Sequence, residues 1–180
     1  MEEARRAVLD SARNSADGRS RESTNQQAAQ IVRDESNALK AKPESQFTAE
    51  NFYARGLADI SSTNYQSALS AFEQAIMLSN ADAPADQVAQ YLFAKGVTLG
   101  ALGKSEEEIA VYDEIDRRFG KDESPSVRER VAGGLVNKGF RLGALGRSEE
   151  AIAVYDEIDR RFSKDESPGV REQVDRKSVV

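Results

Sequence analysis

A long internal repeat is the sequence feature that most restricts how this chain can fold. The segment LGALGKSEEEIAVYDEIDRRF recurs 43 residues later as LGALGRSEEAIAVYDEIDRRF. The two copies differ only at Lys104/Arg147 and Glu108/Ala151. Self-similarity with a period of about 20 to 50 residues is typical of solenoids, propellers and related arrays. We therefore expect a repeated structural unit rather than one irregular core.

A third, more diverged copy lies upstream. The tetrapeptide YARG, which ends at Gly56, aligns with FAKG, which ends at Gly96, at an offset of 40 residues. The prolines support the same period, because their spacings are 41, 41 and 43 residues. They are Pro43, Pro84, Pro125 and Pro168. The period predicts three units at residues 43–83, 84–124 and 125–166, between a non-repeating segment at 1–42 and a terminal segment at 167–180.

Each unit has the pattern of two helices joined by a short turn. In the last unit Ser124 is a candidate N-cap, and Pro125 suits the first helical position, where its missing N–H costs nothing. Helix A is predicted to run to about Leu145, and Gly146 is predicted to end it in the left-handed conformation. Ser148 is the expected cap of helix B. Helix B then carries one apolar stripe, formed by Ile152, Tyr155, Ile158 and Phe162.

Glu108 is the more informative difference between the two close copies. It follows Ser105 by three residues, a spacing that predicts a capping box in which the Glu108 carboxylate accepts a hydrogen bond from the Ser105 backbone N–H. Its sister position is Ala151, and the first unit has Ala68 there. Because a carboxylate at a close helix contact is costly without a partner, we expect Glu108→Ala to stabilise the protein slightly.

The two ends of the chain leave alternatives open. Within residues 1–42, weak apolar periodicity predicts helices at about Glu3–Ala16 and Thr24–Lys40, separated by a break that contains Gly18. Either these helices pack on the first repeat, or the segment is disordered, as its polar composition allows. At the other end VREQV repeats the start of helix A, so 167–180 is either a capping helix or the start of a truncated fourth repeat.

Composition argues against several function classes. The net charge of −6 and the pI of about 4.9 oppose phosphate binding, so no nucleic-acid partner is expected. Neither Cys nor His occurs, which removes the commonest metal ligands, and no cofactor is predicted. No apolar run approaches the roughly 18 residues of a membrane span, so membrane insertion is not expected. A cytoplasmic location is the default expectation, although the chain can equally be a fragment of a larger protein.

The best candidates for catalysis are the acidic residues of DEIDRR, Asp113, Glu114 and Asp116. Two carboxylates can act as acid and base when their surroundings push their pKa values apart. Here Arg117 and Arg118 follow directly, which favours a solvated, ion-paired helix face. The sequence therefore predicts a protein that is not an enzyme.

The repeat resembles the tetratricopeptide family. Each helix A carries a glycine, at Gly56, Gly96 and Gly139, and helix B carries a small residue followed by an aromatic one, as in NYQSA followed by Phe72. The resemblance covers about residues 43–166, although the units exceed the usual length of about 34 residues. It implies an all-α, right-handed solenoid of helix-turn-helix repeats that acts as a non-catalytic scaffold for a protein or peptide.

In such arrays the A helices line a concave groove, and the resemblance maps that groove onto apolar residues and two amides. Its residues are Tyr53, Leu57, Ile60, Gln90, Phe93, Val97, Val136, Asn137 and Phe140. We expect these side chains to be exposed and to bind an amphipathic helix or an extended apolar segment. Alternatively, the N-terminal segment or a second copy of the chain covers them, and the array is a self-assembly module. A regulatory domain of an enzyme is the remote alternative.

Overall fold

The structure is a computed structural model, which describes residues 1–16, 25–79 and 82–177. These residues form helices joined by turns and short loops, and no strand occurs among them. The α-helices are α1 (Glu2–Ala16), α2 (Asn25–Ala38), α3 (Ala49–Ser61), α4 (Tyr65–Leu78), α5 (Ala85–Ala101), α6 (Ser105–Phe119), α7 (Pro125–Ala144), α8 (Ser148–Phe162) and α9 (Pro168–Lys177), and a short 3-10 helix spans Glu44–Gln46. The predicted all-α class is confirmed.

The chain divides into two compact units, and the residues of α5 are shared between them. One unit comprises Met1–Ala83 with Val97–Lys104, and the other comprises Pro84–Gly96 with Ser105–Val180. The first unit therefore contains α1 to α4, and the second contains α6 to α9.

Most helix boundaries in the last repeat lie where the sequence predicts them. Ser124 is the N-cap of α7 and Pro125 is its first residue. Gly146 has a φ of +75°, as expected of a left-handed residue that follows a helix. The prediction for Ser148 is wrong, because α8 begins at Ser148 itself and Arg147 occupies the N-cap position.

The loops before α7 and α9 are held by an aspartate, two residues before the serine. The Oδ1 atom of Asp122 accepts hydrogen bonds from the hydroxyl and the backbone N–H of Ser124, at 2.7 and 2.8 Å. These bonds lower the pKa of Asp122 from its usual value. In the next loop Oδ1 of Asp165 accepts a hydrogen bond from the backbone N–H of Ser167 at 2.9 Å. Both loops read DESP, so the sequence contains the Asp-based turn that leads into each helix.

In the first unit, α1 and α2 pack on each other and on α3. Arg5 of α1 links the three helices, because its guanidinium lies 2.5 Å from Glu35 of α2 and 2.7 Å from Glu50 of α3. In the described residues, α1 and α2 are therefore helices that pack on α3. The predicted break at Gly18 and the predicted helix start at Thr24 lie outside the described residues.

One contact joins helix A to helix B in all three repeats. A glycine of helix A lies so close to an aromatic ring of helix B that an added Cβ atom would lie 2.5 to 2.6 Å from a ring carbon. The pairs are Gly56 with Phe72, Gly96 with Tyr112, and Gly139 with Tyr155. Any side chain at the glycine would separate the two helices or displace the ring. The recurring glycine is thus explained by packing.

In the second unit α7 packs against α6, α8 and α9. Its buried residues include Val131, Leu135 and Leu142. Aligned on their prolines, the 10 residues of α9 correspond to only the first half of α7, which has 20 residues. The predicted terminal segment is therefore helical over Pro168–Lys177, and its last residues, 178–180, lie outside the described part.

Candidate protein-binding surfaces

The predicted groove is largely buried, which corrects the expectation that its side chains are exposed. Seven of its residues are buried, namely Tyr53, Leu57, Ile60, Phe93, Val97, Val136 and Asn137. Only Gln90 and Phe140 are half-buried. The nine residues lie on α3, α5 and α7, and other parts of the chain pack over most of them.

In the first unit the N-terminal helices supply that cover. Tyr53 is 0% exposed, and the guanidinium of Arg5 lies over its ring at 5.4 Å from the centroid. The side chain of Arg5 is itself held by its two carboxylate partners. Cover by the N-terminal segment was one of the alternatives to an open groove, and at Tyr53 the structure has this arrangement.

In the second unit neighbouring repeats cover the aromatic position. The Phe93 ring packs against Tyr112, with 6.2 Å between ring centroids, and a Cβ on Gly133 of α7 would lie 3.1 Å from it. Arg130 of α7 lies over the same ring at 5.7 Å from the centroid. Phe93 is thus covered by the helix A of the following repeat, and it is not free to contact a peptide.

The groove amide on α7 is also engaged. Nδ2 of Asn137 donates a hydrogen bond to the Tyr112 hydroxyl at 3.1 Å, and Oδ1 of Asn137 accepts one from Arg176 of α9 at 3.2 Å. Phe140 makes an edge-on contact with Tyr155, with 6.5 Å between centroids. Burial raises the pKa of Tyr155. The Asn137 amide, which was predicted to bind a ligand, therefore bonds to other residues of the chain.

A different surface is the face of α6 that packs against the third repeat. It shows how two successive repeats contact each other within the second compact unit. Its centre is Ile109, which is 6% exposed and forms a buried cluster with Leu142 of α7 and Ala151 of α8. Three carboxylates flank this apolar centre, and each of them pairs with a basic side chain of the third repeat. The pairs are Glu106–Arg147 at 3.2 Å, Asp113–Lys138 at 2.5 Å and Asp116–Arg161 at 2.6 Å.

The fourth carboxylate of this face, Glu108, is the most buried. Its Oε2 atom accepts a hydrogen bond from Nε of Arg141 at 2.5 Å, and the two side chains are 6% and 15% exposed. Such a pair shields both charges, and removing one partner leaves the other charge buried. The expectation that the Glu108 carboxylate lacks a partner is therefore wrong, because Arg141 is a specific basic partner for it.

An alignment of successive repeats contains a sign of the Glu108–Arg141 pair that is not visible within a single repeat. Arg141 aligns with Thr98 of the preceding helix A, and Glu108 aligns with Ala68 of the first helix B. An acid in one helix B is thus accompanied by a base in the next helix A, and an alanine by a threonine. The acidic residues of DEIDRR also form ion pairs. Glu114 pairs with Arg118 within α6, at 3.1 Å, whereas Asp113 and Asp116 pair with bases of the third repeat.

The outer face of α8 carries the same side chains as the outer face of α6, in the same order. The equivalents of Glu106, Ile109, Asp113 and Asp116 are Glu149, Ile152, Asp156 and Asp159. Ile152 is 59% exposed, whereas its counterpart is 6% exposed. Asp159 pairs with Lys177 of α9. Glu149 and Asp156 are exposed, and within residues 1–16, 25–79 and 82–177 neither forms an ion pair.

Among the described residues, no helix covers the N-terminal half of α8 in the way that α7 covers α6. The residues that cover α6, namely Lys138, Arg141, Leu142 and Arg147, lie in or just after the second half of α7. α9 corresponds to the first half alone. It therefore reaches the C-terminal half of α8 and leaves its N-terminal half open. We call this open surface, formed by Glu149, Ile152 and Asp156, the α8 outer face.

Two other classes of site leave no trace in the part of the chain that the structure describes. There, no group of three or more acidic side chains is arranged to hold a metal ion. No helix in the same residues combines the length and the apolar character that crossing a membrane requires. Among known proteins, no family model, no curated protein and no solved structure matches this chain.

Proposed function

We propose that this protein is a non-catalytic interaction scaffold of tetratricopeptide type, whose helix pairs stack as a right-handed solenoid and hold a helical segment of another protein. The repeated glycine–aromatic contact between helices A and B supports the repeat assignment. Four ion pairs and an apolar centre join α6 to the third repeat. This supports stacking as the way in which successive repeats associate. We keep the cytoplasm as the expected location.

The observation that carries the binding function is the α8 outer face. An isoleucine that is 59% exposed, flanked by carboxylates, has the composition of the α6 surface that binds a helix within this chain. A singly exposed isoleucine is ordinary on a protein surface, and what distinguishes Ile152 is that its counterpart Ile109 is 6% exposed under a helix. A helix occupies the same surface one repeat earlier, which supports a helix as the kind of structure that fits it. A helix of another protein is therefore the ligand that this geometry supports best.

The concave groove receives less support as the binding surface. Burial of seven of its nine residues and the internal hydrogen bonds of Asn137 leave Gln90 and Phe140 as its accessible members. A peptide in the groove would have to displace α1 and α2 from Tyr53, or α7 from Phe93. The α8 outer face needs no such displacement.

The test is a quantitative pull-down with two matched bait variants. Ile152→Asp places a charge at the centre of the α8 outer face. Ala153→Asp places the same charge on the next residue, which is exposed in α8, as its equivalent Ala110 is in α6. We expect a protein from extracts of the source cells to be retained by the wild-type chain and by Ala153→Asp, and to be lost with Ile152→Asp. Equal retention by both variants would exclude the α8 outer face, and no retention by any bait would contradict the scaffold function.

Self-assembly is the second candidate, favoured by the identity of α6 and α8 at four outer-face positions, Glu106/Glu149, Ile109/Ile152, Asp113/Asp156 and Asp116/Asp159. A second copy could supply the complement that α7 supplies to α6. Sedimentation velocity over a hundredfold concentration range distinguishes the two functions. A monomer at all concentrations favours a foreign partner, whereas a reversible dimer that Ile152→Asp abolishes favours self-assembly.

A further inference from the structure

We infer that the α8 outer face selects a partner helix with a defined pattern: a base, a small uncharged residue three positions later, a leucine directly after that, and a second base five positions beyond the leucine. This inference rests on the proposed function, because it names the chemistry of the segment that the scaffold holds.

The positions of the bases and the leucine follow from the occupied copy of the surface. On α6, Asp113 is bound by Lys138, Ile109 by Leu142, and Glu106 by Arg147. The covering residues are therefore spaced i, i+4 and i+9 along α7 and the turn that follows it. α8 has Asp156, Ile152 and Glu149 at the matching positions. A partner helix with the same spacing satisfies each of them in the same order.

The third position of the pattern follows from the one difference between the two helices. On α6 the residue at i+3 is Arg141, and it is bound by Glu108. α8 has Ala151 in place of that glutamate. An arginine at i+3 of the partner would lose its carboxylate while being covered by the interface, which is unfavourable for a charged group. The chain itself shows the alternative, since Ala68 of the first repeat accompanies Thr98, and both are buried.

A helix with the complete pattern occurs in this protein. α5 and the turn after it contain Lys95, Thr98, Leu99 and Lys104, at i, i+3, i+4 and i+9. In the folded chain Thr98 and Leu99 are 0% and 1% exposed. An intact second copy therefore does not present this helix, and the occupant that fits is a helix of another protein. The α5 sequence nevertheless provides an authentic probe for the surface.

The experiment titrates the full-length chain with two fluorescent peptides and follows anisotropy. One peptide has the sequence of residues 84–104, PADQVAQYLFAKGVTLGALGK, and the other carries Thr98→Arg. We expect the threonine peptide to bind saturably, and about tenfold or more tighter than the arginine peptide. Ile152→Asp in the full-length chain should weaken this binding by at least about tenfold, and Ala153→Asp should leave it unchanged.

The decisive variant is Ala151→Glu, which gives α8 the sequence of α6 without any other change. We expect it to reverse the preference, so that the arginine peptide binds more tightly than the threonine peptide. Because Ala151 is 5% exposed in the cluster with Ile109 and Leu142, far-ultraviolet circular dichroism first verifies that the variant keeps its helical content, so that loss of structure is not mistaken for loss of selectivity.

Three outcomes would overturn the inference. These are failure of both peptides to bind, binding that Ile152→Asp does not affect, and a preference that Ala151→Glu does not change. Self-association of the unliganded chain that Ile152→Asp abolishes would assign the face to a second copy instead. Failure of the peptide titration combined with an Ile152-dependent pull-down would reject this pattern but not the scaffold function, so the two proposals fail separately.

Discussion

The helices α6 and α8 share 14 of 15 residues, yet they occupy different environments. Ile109 of α6 is 6% exposed, whereas Ile152 of α8 is 59% exposed. In α6 every outer-face carboxylate has a base, whereas among Glu149, Asp156 and Asp159 of α8 only Asp159 is paired within the described residues, with Lys177. In this chain, therefore, the burial of an outer-face side chain is determined by the helix that packs over it, and not by the sequence of its own helix.

The largest difference should appear when the two isoleucines are truncated. Ile109→Ala removes apolar volume from a buried cluster and should lower the free energy of unfolding by about 3 kcal/mol. Ile152→Ala removes a largely solvated side chain and should cost less than about 0.5 kcal/mol. Urea denaturation followed by circular dichroism measures both. Equal losses would mean that α8 is covered in solution by an additional partner or a second copy.

The single substitution between the helices gives the next largest effect. Glu108→Ala leaves Arg141 covered and without its carboxylate, so we expect a loss of about 2 to 3 kcal/mol, slightly below the range for fully buried pairs because Arg141 is 15% exposed. The double variant Glu108→Ala/Arg141→Thr reproduces the Ala68/Thr98 combination of the first repeat.

That double variant is the control for the prediction, and most of the lost stability should return in it. Glu106→Ala is a second control, since its pair with Arg147 is exposed and should contribute little to stability. If the double variant is as unstable as Glu108→Ala, the alignment-based pairing of these positions is wrong.

Much of the fold could be predicted because its determinants are local. The proline at the start of α7, the left-handed Gly146 and the glycine in each helix A lie close in sequence to the structure that they specify. These residues act through backbone conformation or through a helix pair within one repeat. Sequence periodicity also indicated the N-terminal helices, although it could not decide that they would cover Tyr53.

The surfaces were harder to predict because they depend on residues far apart in the chain. Exposure of Phe93 is decided by Arg130 and Gly133 of α7, and Glu108 is explained by Arg141, 33 residues away. The sequence of a single repeat does not specify which side chains of the neighbouring repeats will contact it. The ion pairs become visible only when successive repeats are aligned with an offset of one unit.

The glycine–aromatic contact also has different surroundings in the second and third repeats, and we expect substitutions there to have effects of intermediate size on stability. In both Gly96→Ala and Gly139→Ala the new Cβ would approach a tyrosine ring to 2.5 to 2.6 Å. Tyr112 is 1% exposed and enclosed, so Gly96→Ala should cost about 1 to 2 kcal/mol despite the better helix propensity of alanine. Tyr155 is half-buried and can shift toward solvent, so Gly139→Ala should be nearly neutral. Thermal melts of the two variants at matched concentration test the difference, and a larger loss for Gly139→Ala would contradict it.

The smallest effect concerns the loops that precede α7 and α9, which differ in one ion pair. Asp165 bonds Arg128, with Oδ2 at 2.7 Å from Nε, whereas the residue that aligns with Arg128 in the preceding unit is Ala85. Burial alone would raise the pKa of Asp165, but the hydrogen bonds from Ser167 and Arg128 outweigh it and lower the pKa.

A carboxyl whose pKa is lower in the folded state stabilises the protein above the pKa of the unfolded state, near 3.9, and this contribution is lost as the pH falls through the folded-state value. Asp165→Asn should therefore cost about 1 kcal/mol at pH 7, and its difference from the wild-type chain should narrow as the pH is lowered from 5 toward about 3. Asp122→Asn should cost less at pH 7, because Asp122 is bonded to Ser124 within its own loop and has no aligned arginine. Urea midpoints at several pH values measure both variants. A deficit for Asp165→Asn that stays constant with pH would show that its cost comes from packing of the loop and not from the charge that binds Arg128.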